Sequence, residues 1–178
     1  GPAGSLFGGA TLPDMGADEF DRAVDDKFPP VITHVLPVVC GQNFRTVTAN
    51  IIDVSGVPVA GLGLPRLFWR INAGAWQAPV TGVHIGGTQY TFTFDNVATI
   101  GQTVEYYMVA QDLATVPNVG SSPDGGLGFT NTPPNAATPP TTYFSYTVVA
   151  NLAPGTYTVG TGAFDFPTLT AAVNAYNT

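Results

Sequence analysis

Basic residues are scarce in this chain. Lysine and arginine total five against twelve acids, which gives a formal charge of −7 over 178 residues. That balance excludes the cationic footprint a nucleic-acid binder needs for its phosphate contacts. Lys27 is the sole lysine, so there is no phosphate-binding Gly-x-x-x-x-Gly-Lys loop. Cysteine is as rare: Cys40 stands alone, no intrachain disulfide can form, and it reads as a small apolar residue at a strand end. No apolar run approaches the ~20 residues that cross a bilayer as a helix. Residues 1–9 hold neither a basic nor a continuous apolar region and do not read as a secretory signal, while Gly1-Pro2 looks like a protease-cleavage scar. Charged residues make up 10% of the chain, so solubility rests on uncharged polar groups, chiefly threonine.

Material for a core is plentiful, with 44% hydrophobic residues including 11 Phe, 7 Tyr and 2 Trp. From Val31 onward these residues recur with a period of two. Tyr90-Thr91-Phe92-Thr93-Phe94 puts three aromatics on one face and threonine on the other, the pattern of a half-buried antiparallel strand. Further strands are predicted at Val31–Leu36, Phe44–Val54, Arg66–Ile71, Thr103–Gln111 and Thr142–Val149, with a short one at Trp76–Val80. Val47, Ala49 and Ile51 share a face, as do Val104, Tyr106, Met108 and Ala110; Trp69 falls on the inward parity beside Leu67 and Ile71. Asn72-Ala73-Gly74, Gly86-Gly87, Asp95-Asn96 and Ile100-Gly101-Gln102 supply turn chemistry between them. About seven short strands with no long helix among them predict an all-β chain folded as a two-sheet antiparallel sandwich.

Three stretches depart from that rhythm. Six of the twelve acids lie between Asp14 and Asp26, where Phe20, Ala23 and Val24 would share one face of a short helix ended by Pro29-Pro30. Leu113–Pro140 holds six Pro and four Gly, and reads as a long connection that either shields a sheet edge or carries function. After Val149 comes a strand-like Thr156–Val159, then a helix from Pro167 to Tyr176 with Leu169, Ala172, Val173 and Tyr176 on one face. The chain therefore divides into an N-terminal segment (1–28), a sandwich (29–150) and a C-terminal strand-plus-helix tail (151–178).

Residues 29–149 carry landmarks of a known family. Pro29-Pro30-Val31-Ile32-Thr33-His34, Ala49-Asn50-Ile51-Ile52-Asp53-Val54-Ser55-Gly56-Val57 and Val104-Glu105-Tyr106-Tyr107-Met108-Val109-Ala110-Gln111-Asp112 resemble bacterial immunoglobulin-like or fibronectin type III-like modules of large secreted proteins. Leu67 to Trp76 is similar to that family's hairpin, in which a tryptophan follows a Gly-containing turn. The long segment after Asp112 departs from the family, which more often has a short turn there. The ends resemble something else: Pro13-Asp14-Met15-Gly16-Ala17-Asp18-Glu19-Phe20 is similar to the close, and Gly155 to Asn177 to the opening, of right-handed parallel β-helix regions in bacterial surface proteins. The resemblance implies an immunoglobulin-like β-sandwich serving as a spacer between β-helical blocks, on the cell surface or outside the cell.

Catalytic constellations are not evident. None of the five serines sits in a Gly-x-Ser-x-Gly elbow. His34, Cys40 and His84 fall in different elements without zinc-ligand spacing. Asp53, Glu105 and Asp112 are carboxylates of the type glycosidases pair, but Asp53 precedes a turn and Asp112 ends a strand, where side chains usually bond backbone. Asp18, Asp21 and Asp25 could attract Ca²⁺, although a solvated acidic face is the plainer reading. Lys27 lies outside the strands, a poor place for an isopeptide bond. Phe68, Trp76 and Tyr107 could present aromatic faces to a sugar if parity leaves them exposed.

The expectation is a noncatalytic structural or adhesive module of a bacterial extracellular protein, without cofactor or metal, possessing neighbouring domains or copies of itself as partners through its terminal segments. An accessory carbohydrate-binding module that holds polysaccharide is the competing expectation. The tail is expected to dock, either on its own sandwich or, by strand addition, on a neighbouring copy.

Overall fold

A computed structural model describes residues 26–37, 45–95, 97–149, 156–163 and 165–176. The acidic stretch up to Asp25, and with it the helix expected there and Asp18, Asp21 and Asp25, lies outside the described residues, as does Cys40. The described chain is all-β apart from one short helix. One antiparallel sheet is ordered β1 (Val31–His34), β2 (Arg45–Ile52), β6 (Gln89–Phe94), β5 (Val83–Gly86). The second is ordered β11 (Phe144–Thr147), β7 (Thr103–Gln111), β3 (Arg66–Ile71), β4 (Val80–Thr81).

The two sheets face each other because their alternation does. Val47, Ala49, Ile51, Tyr90, Phe92 and Phe94 point inward from the first sheet; Leu67, Trp69, Val104, Tyr106, Met108 and Ala110 meet them from the second. Aromatic contacts cross the gap, with Phe94 5.4 Å from Tyr106 and 6.0 Å from Trp69 between ring centroids. Each such large apolar side chain contributes roughly 1.5–3 kcal/mol by leaving water. On the solvent side of the first sheet threonines pair instead, Thr46 Oγ1 lying 3.0 Å from Thr93 Oγ1.

Among the described residues eleven strands stand where about seven were expected, and the surplus has identifiable sources. Leu113–Pro140 is not an irregular loop. It folds into β8 (Val119–Ser122), β9 (Leu127–Thr130) and β10 (Asn135–Thr138). The long strand β7 uses one edge twice: residues 103–106 pair with β11 and residues 108–111 with β8. The β9–β10 hairpin sets Ala136 against Phe68, Tyr107 and Val109, forming a second small core on the outer face of that sheet. The segment thus shields a sheet edge and a sheet face.

The strand expected at Trp76–Val80 shrinks to Val80–Thr81, since Pro79 has no N–H to give a ladder. Gly82 then carries the chain from the second sheet into β5 of the first; a Cβ there would lie 2.8 Å from the Phe92 ring. In the tail, Thr156–Val159 forms no strand but one parallel bridge, Val159 to Phe166. Helix α1 runs Leu169–Tyr176, capped where Thr168 Oγ1 accepts the Ala171 amide at 3.0 Å. Leu169 remains 70% and Val173 46% exposed, so the chain's own sandwich does not cover the apolar side of the helix. Among the described residues no helix is long and apolar enough to cross a membrane.

Candidate functional site

Three carboxylates converge where the chain enters the sandwich. Asp26 precedes β1, Asp53 follows β2 and Asp112 follows β7, and one oxygen of each lies within 4.8 Å of the others. Local turn chemistry places them. Asp53 opens a turn in which its Oδ1 accepts the Ser55 amide at 2.7 Å and its carbonyl accepts the Gly56 amide at 3.2 Å; Gly56 adopts φ +82°, which suits glycine. Asp112 is fully buried, and its Oδ1 accepts the amides of Ala114 and Asn118 at 3.2 and 2.8 Å. The Asn118 side-chain amide donates both to Asp112 Oδ2 at 2.6 Å and to the Asp26 carbonyl at 2.9 Å. Ser55 Oγ donates to Asp26 Oδ2 at 2.7 Å, and the Phe28 amide to Asp26 Oδ1 at 3.1 Å.

The electrostatics divide the first two acids. Hydrogen bonds from the Ser55 hydroxyl, then from the Phe28 amide, hold the Asp26 carboxyl below the usual carboxylate range. Burial, then hydrogen bonding and charge from Asp26, push the Asp53 carboxyl above it, with the Asp112 charge adding to the push. The two carboxyls crowd each other's negative charge, and Asp53 is the one that takes up a proton first as pH falls. Three carboxylates and a backbone carbonyl are the hard oxygen donors a divalent cation such as Ca²⁺ takes. Most of them are already spent on N–H and O–H groups, so the arrangement works as a polar knot tying the entering chain to two connections of the sandwich. Beside it Lys27, Pro29, Asn118 and Phe129 line an open groove of about 550 Å³.

Of the sequence candidates, Asp53 and Asp112 are brought together and Glu105 is not. Glu105 lies on the outer face of the second sheet, where its Oε2 accepts Arg70 Nε at 2.7 Å. The Arg70 guanidinium lies over both the Trp76 and Tyr143 rings, 4.7 and 4.6 Å from their centroids. Parity put Phe68 and Tyr107 on this outer face, but they are 8% and 2% exposed under the β9–β10 hairpin. Their rings stack on each other at 4.8 Å, and burial pushes the Tyr107 hydroxyl up to about 12. Trp76 is partly buried, edge-on to Tyr107 at 5.0 Å and to Tyr143 at 5.3 Å.

His34 and His84 are at opposite edges of the first sheet, on β1 and β5. His34 bonds the Tyr106 hydroxyl and His84 the Gly87 carbonyl. Ser55 and Asn118 escaped the sequence reading. Ser55 was legible, sitting two residues after an Asp and one before a Gly in a turn; Asn118 was not, because its partner Asp26 lies 92 positions away. Comparison of the chain with protein-family models and with curated proteins finds no match.

Proposed function

We propose that the chain is a noncatalytic structural module of a bacterial extracellular or cell-surface protein, an immunoglobulin-like spacer or adhesive segment able to serve as a matrix or filament subunit. The observation that carries this reading is the use made of its polar side chains. Asp53, Asp112, Glu105, His34 and His84 each spend their hydrogen bonds on the framework. The knot at Asp26 fastens the incoming chain, as a module joined in series requires. At the other end α1 leaves Leu169 and Val173 uncovered, a surface that suits a neighbouring domain or copy.

Light scattering of the full chain and of a chain ending at Asn151 tests this reading. Concentration-dependent association of the full chain, lost on truncation, is the expected result. Monomers from both at high concentration would remove the filament role and leave the spacer. A polysaccharide-hydrolysing rate that disappears in Asp53→Asn or Glu105→Gln would overturn the noncatalytic reading altogether. The carbohydrate-binding alternative drew on Trp76, Tyr107 and Leu113–Pro140. With Tyr107 buried, Trp76 alone among these aromatics keeps some surface, and retention on insoluble polysaccharide that Trp76→Ala abolishes would favour that alternative.

A further inference from the structure

His34 is the last residue of β1, an edge strand of four residues held to β2 by the pairs Val31–Ile52, Ile32–Ile51, Thr33–Asn50 and His34–Ala49. Its side chain crosses to the other sheet. Nε2 lies 2.8 Å from the Tyr106 hydroxyl, and the ring stands edge-on to Phe144 at 4.4 Å and to Tyr106 at 5.6 Å. Tyr106 is fully buried on β7, and His34 is the hydrogen-bond partner its hydroxyl has among the described residues. That hydroxyl stays protonated, since burial raises its pKa well above the ordinary value. It therefore donates, and the imidazole accepts through Nε2 with its proton on Nδ1.

We propose that His34 is a pH-sensitive clasp, whose protonation unfastens the end of β1 from Tyr106 and loosens the strand by which the chain enters the sandwich. An imidazolium has no lone pair to offer. Tyr106 would have to turn and accept, leaving its own hydrogen buried without an acceptor. The groups the ring touches are Tyr106 from β7 and Phe144 from β11, while its backbone pairs with Ala49 of β2. Tyr106 is the titratable group in that set, and among the described residues no carboxylate faces the ring to stabilise its cation. Burial accordingly lowers the His34 pKa below the ordinary imidazole value of 6.5. The neutral form belongs to the closed strand, so the clasp holds above that range and is lost as pH falls through it. Within β1 the remaining attachments are weak bonds from Ser122 Oγ to the Ile32 carbonyl and from Thr33 Oγ1 to the Asn50 carbonyl, each at 3.4 Å and neither ionisable. The ionisable attachment of the entering chain is the knot at Asp26, upstream of the strand and present unchanged in His34→Gln.

The test is NMR on the whole chain: imidazole titration, and amide hydrogen exchange of β1 against β6 at pH 7 and pH 5, corrected for intrinsic rates. His34 should titrate below 6.5, and β1 exchange should rise relative to β6 between pH 7 and pH 5. His34→Gln, whose carbonyl reaches where Nε2 does and does not titrate, should hold β1 equally at both pH values. Tyr106→Phe should leave β1 loose at both. A His34 titration at or above 6.5, β1 protection unchanged between the two pH values, or the same pH response in His34→Gln would each overturn the proposal.

Discussion

The Tyr146 hydroxyl donates to Asp95 Oδ2 at 2.7 Å inside the sandwich, joining β11 of one sheet to the end of β6 in the other. Asp95 Oδ1 accepts the Ala98 amide at 3.0 Å, and Arg45 lies 3.8 Å from Oδ2. Arg45 and Asp95 are 3% and 1% exposed, so the ion pair is shielded from water. Asp95→Asn tests this cleanly, because asparagine also accepts the φ of +55° found there. It should cost about 3–5 kcal/mol by breaking a buried ion pair. Tyr146→Phe, which removes one hydrogen bond and keeps the ion pair, should cost about 1–2 kcal/mol. Urea denaturation at pH 7 measures both; equal losses would show that the charge pair adds nothing beyond the hydroxyl bond.

Gly82 sits where the chain leaves β4 for β5, its amide donating to the Pro65 carbonyl at 2.8 Å. A Cβ would meet Phe92 Cε1 at 2.8 Å, Cζ at 2.9 Å and the Pro65 oxygen at 3.2 Å. Phe92 is fully buried and has no room to retreat. Gly82→Ala should therefore destabilise by about 1–3 kcal/mol, the usual cost of overfilling a packed core. A midpoint within error of the parent in the same denaturation would mean that the crossover shifts freely.

Period-two alternation located β3 and β7 to the residue and β6 to within one, because their core-facing residues recur at every second position. It misjudged exposure where the outer face of β3 and β7 is also covered. Phe68 and Tyr107 had outward parity, yet a hairpin that begins 20 residues after Tyr107 folds over them, and nothing local announces such a cover. The strands β8 to β10 were missed for a related reason: each is four residues long, and Gly120 and Gly128 interrupt any alternation. Gly120 is needed where Pro29 closes to 2.7 Å of its would-be Cβ, a demand set by tertiary contact. The carboxylate knot was half legible. Asp53 and Asp112 were marked as backbone-binding acids, which they are, but their meeting with Asp26 follows from strand order.

Arg70 bonds Glu105 and lies over the Trp76 and Tyr143 rings, with its side chain 18% exposed. Arg70→Lys keeps the charge opposite Glu105 and loses the planar group over the rings, since an ammonium has no face to offer. We expect a loss of about 1 kcal/mol, the sum of two partly exposed cation–π contacts, together with a change in Trp76 fluorescence. Unchanged stability and emission would show that the ring contact is incidental.

The opposed shifts at Asp26 and Asp53 give the last prediction its sign. Asp53, raised above its ordinary value by burial first and Asp26 second, contributes stability that is present below the unfolded carboxylate value of 3.8 and is lost as pH rises through its folded value. Asp26, lowered by Ser55 and Phe28, contributes in the opposite sense, present above 3.8 and lost as pH falls. Asp53→Asn removes the first contribution alone. Its Oδ1 still accepts the Ser55 amide, and its side-chain amide can donate toward Asp26. The variant should thus match the parent near pH 3, where Asp53 is already neutral, and be more stable than it at pH 7. Asp53→Ala, which leaves the Ser55 amide without its acceptor, should show no such gain. Thermal melts of the three proteins at pH 3 and pH 7 check the difference. A destabilised Asp53→Asn at neutral pH would mean that the negative charge at this knot is itself required.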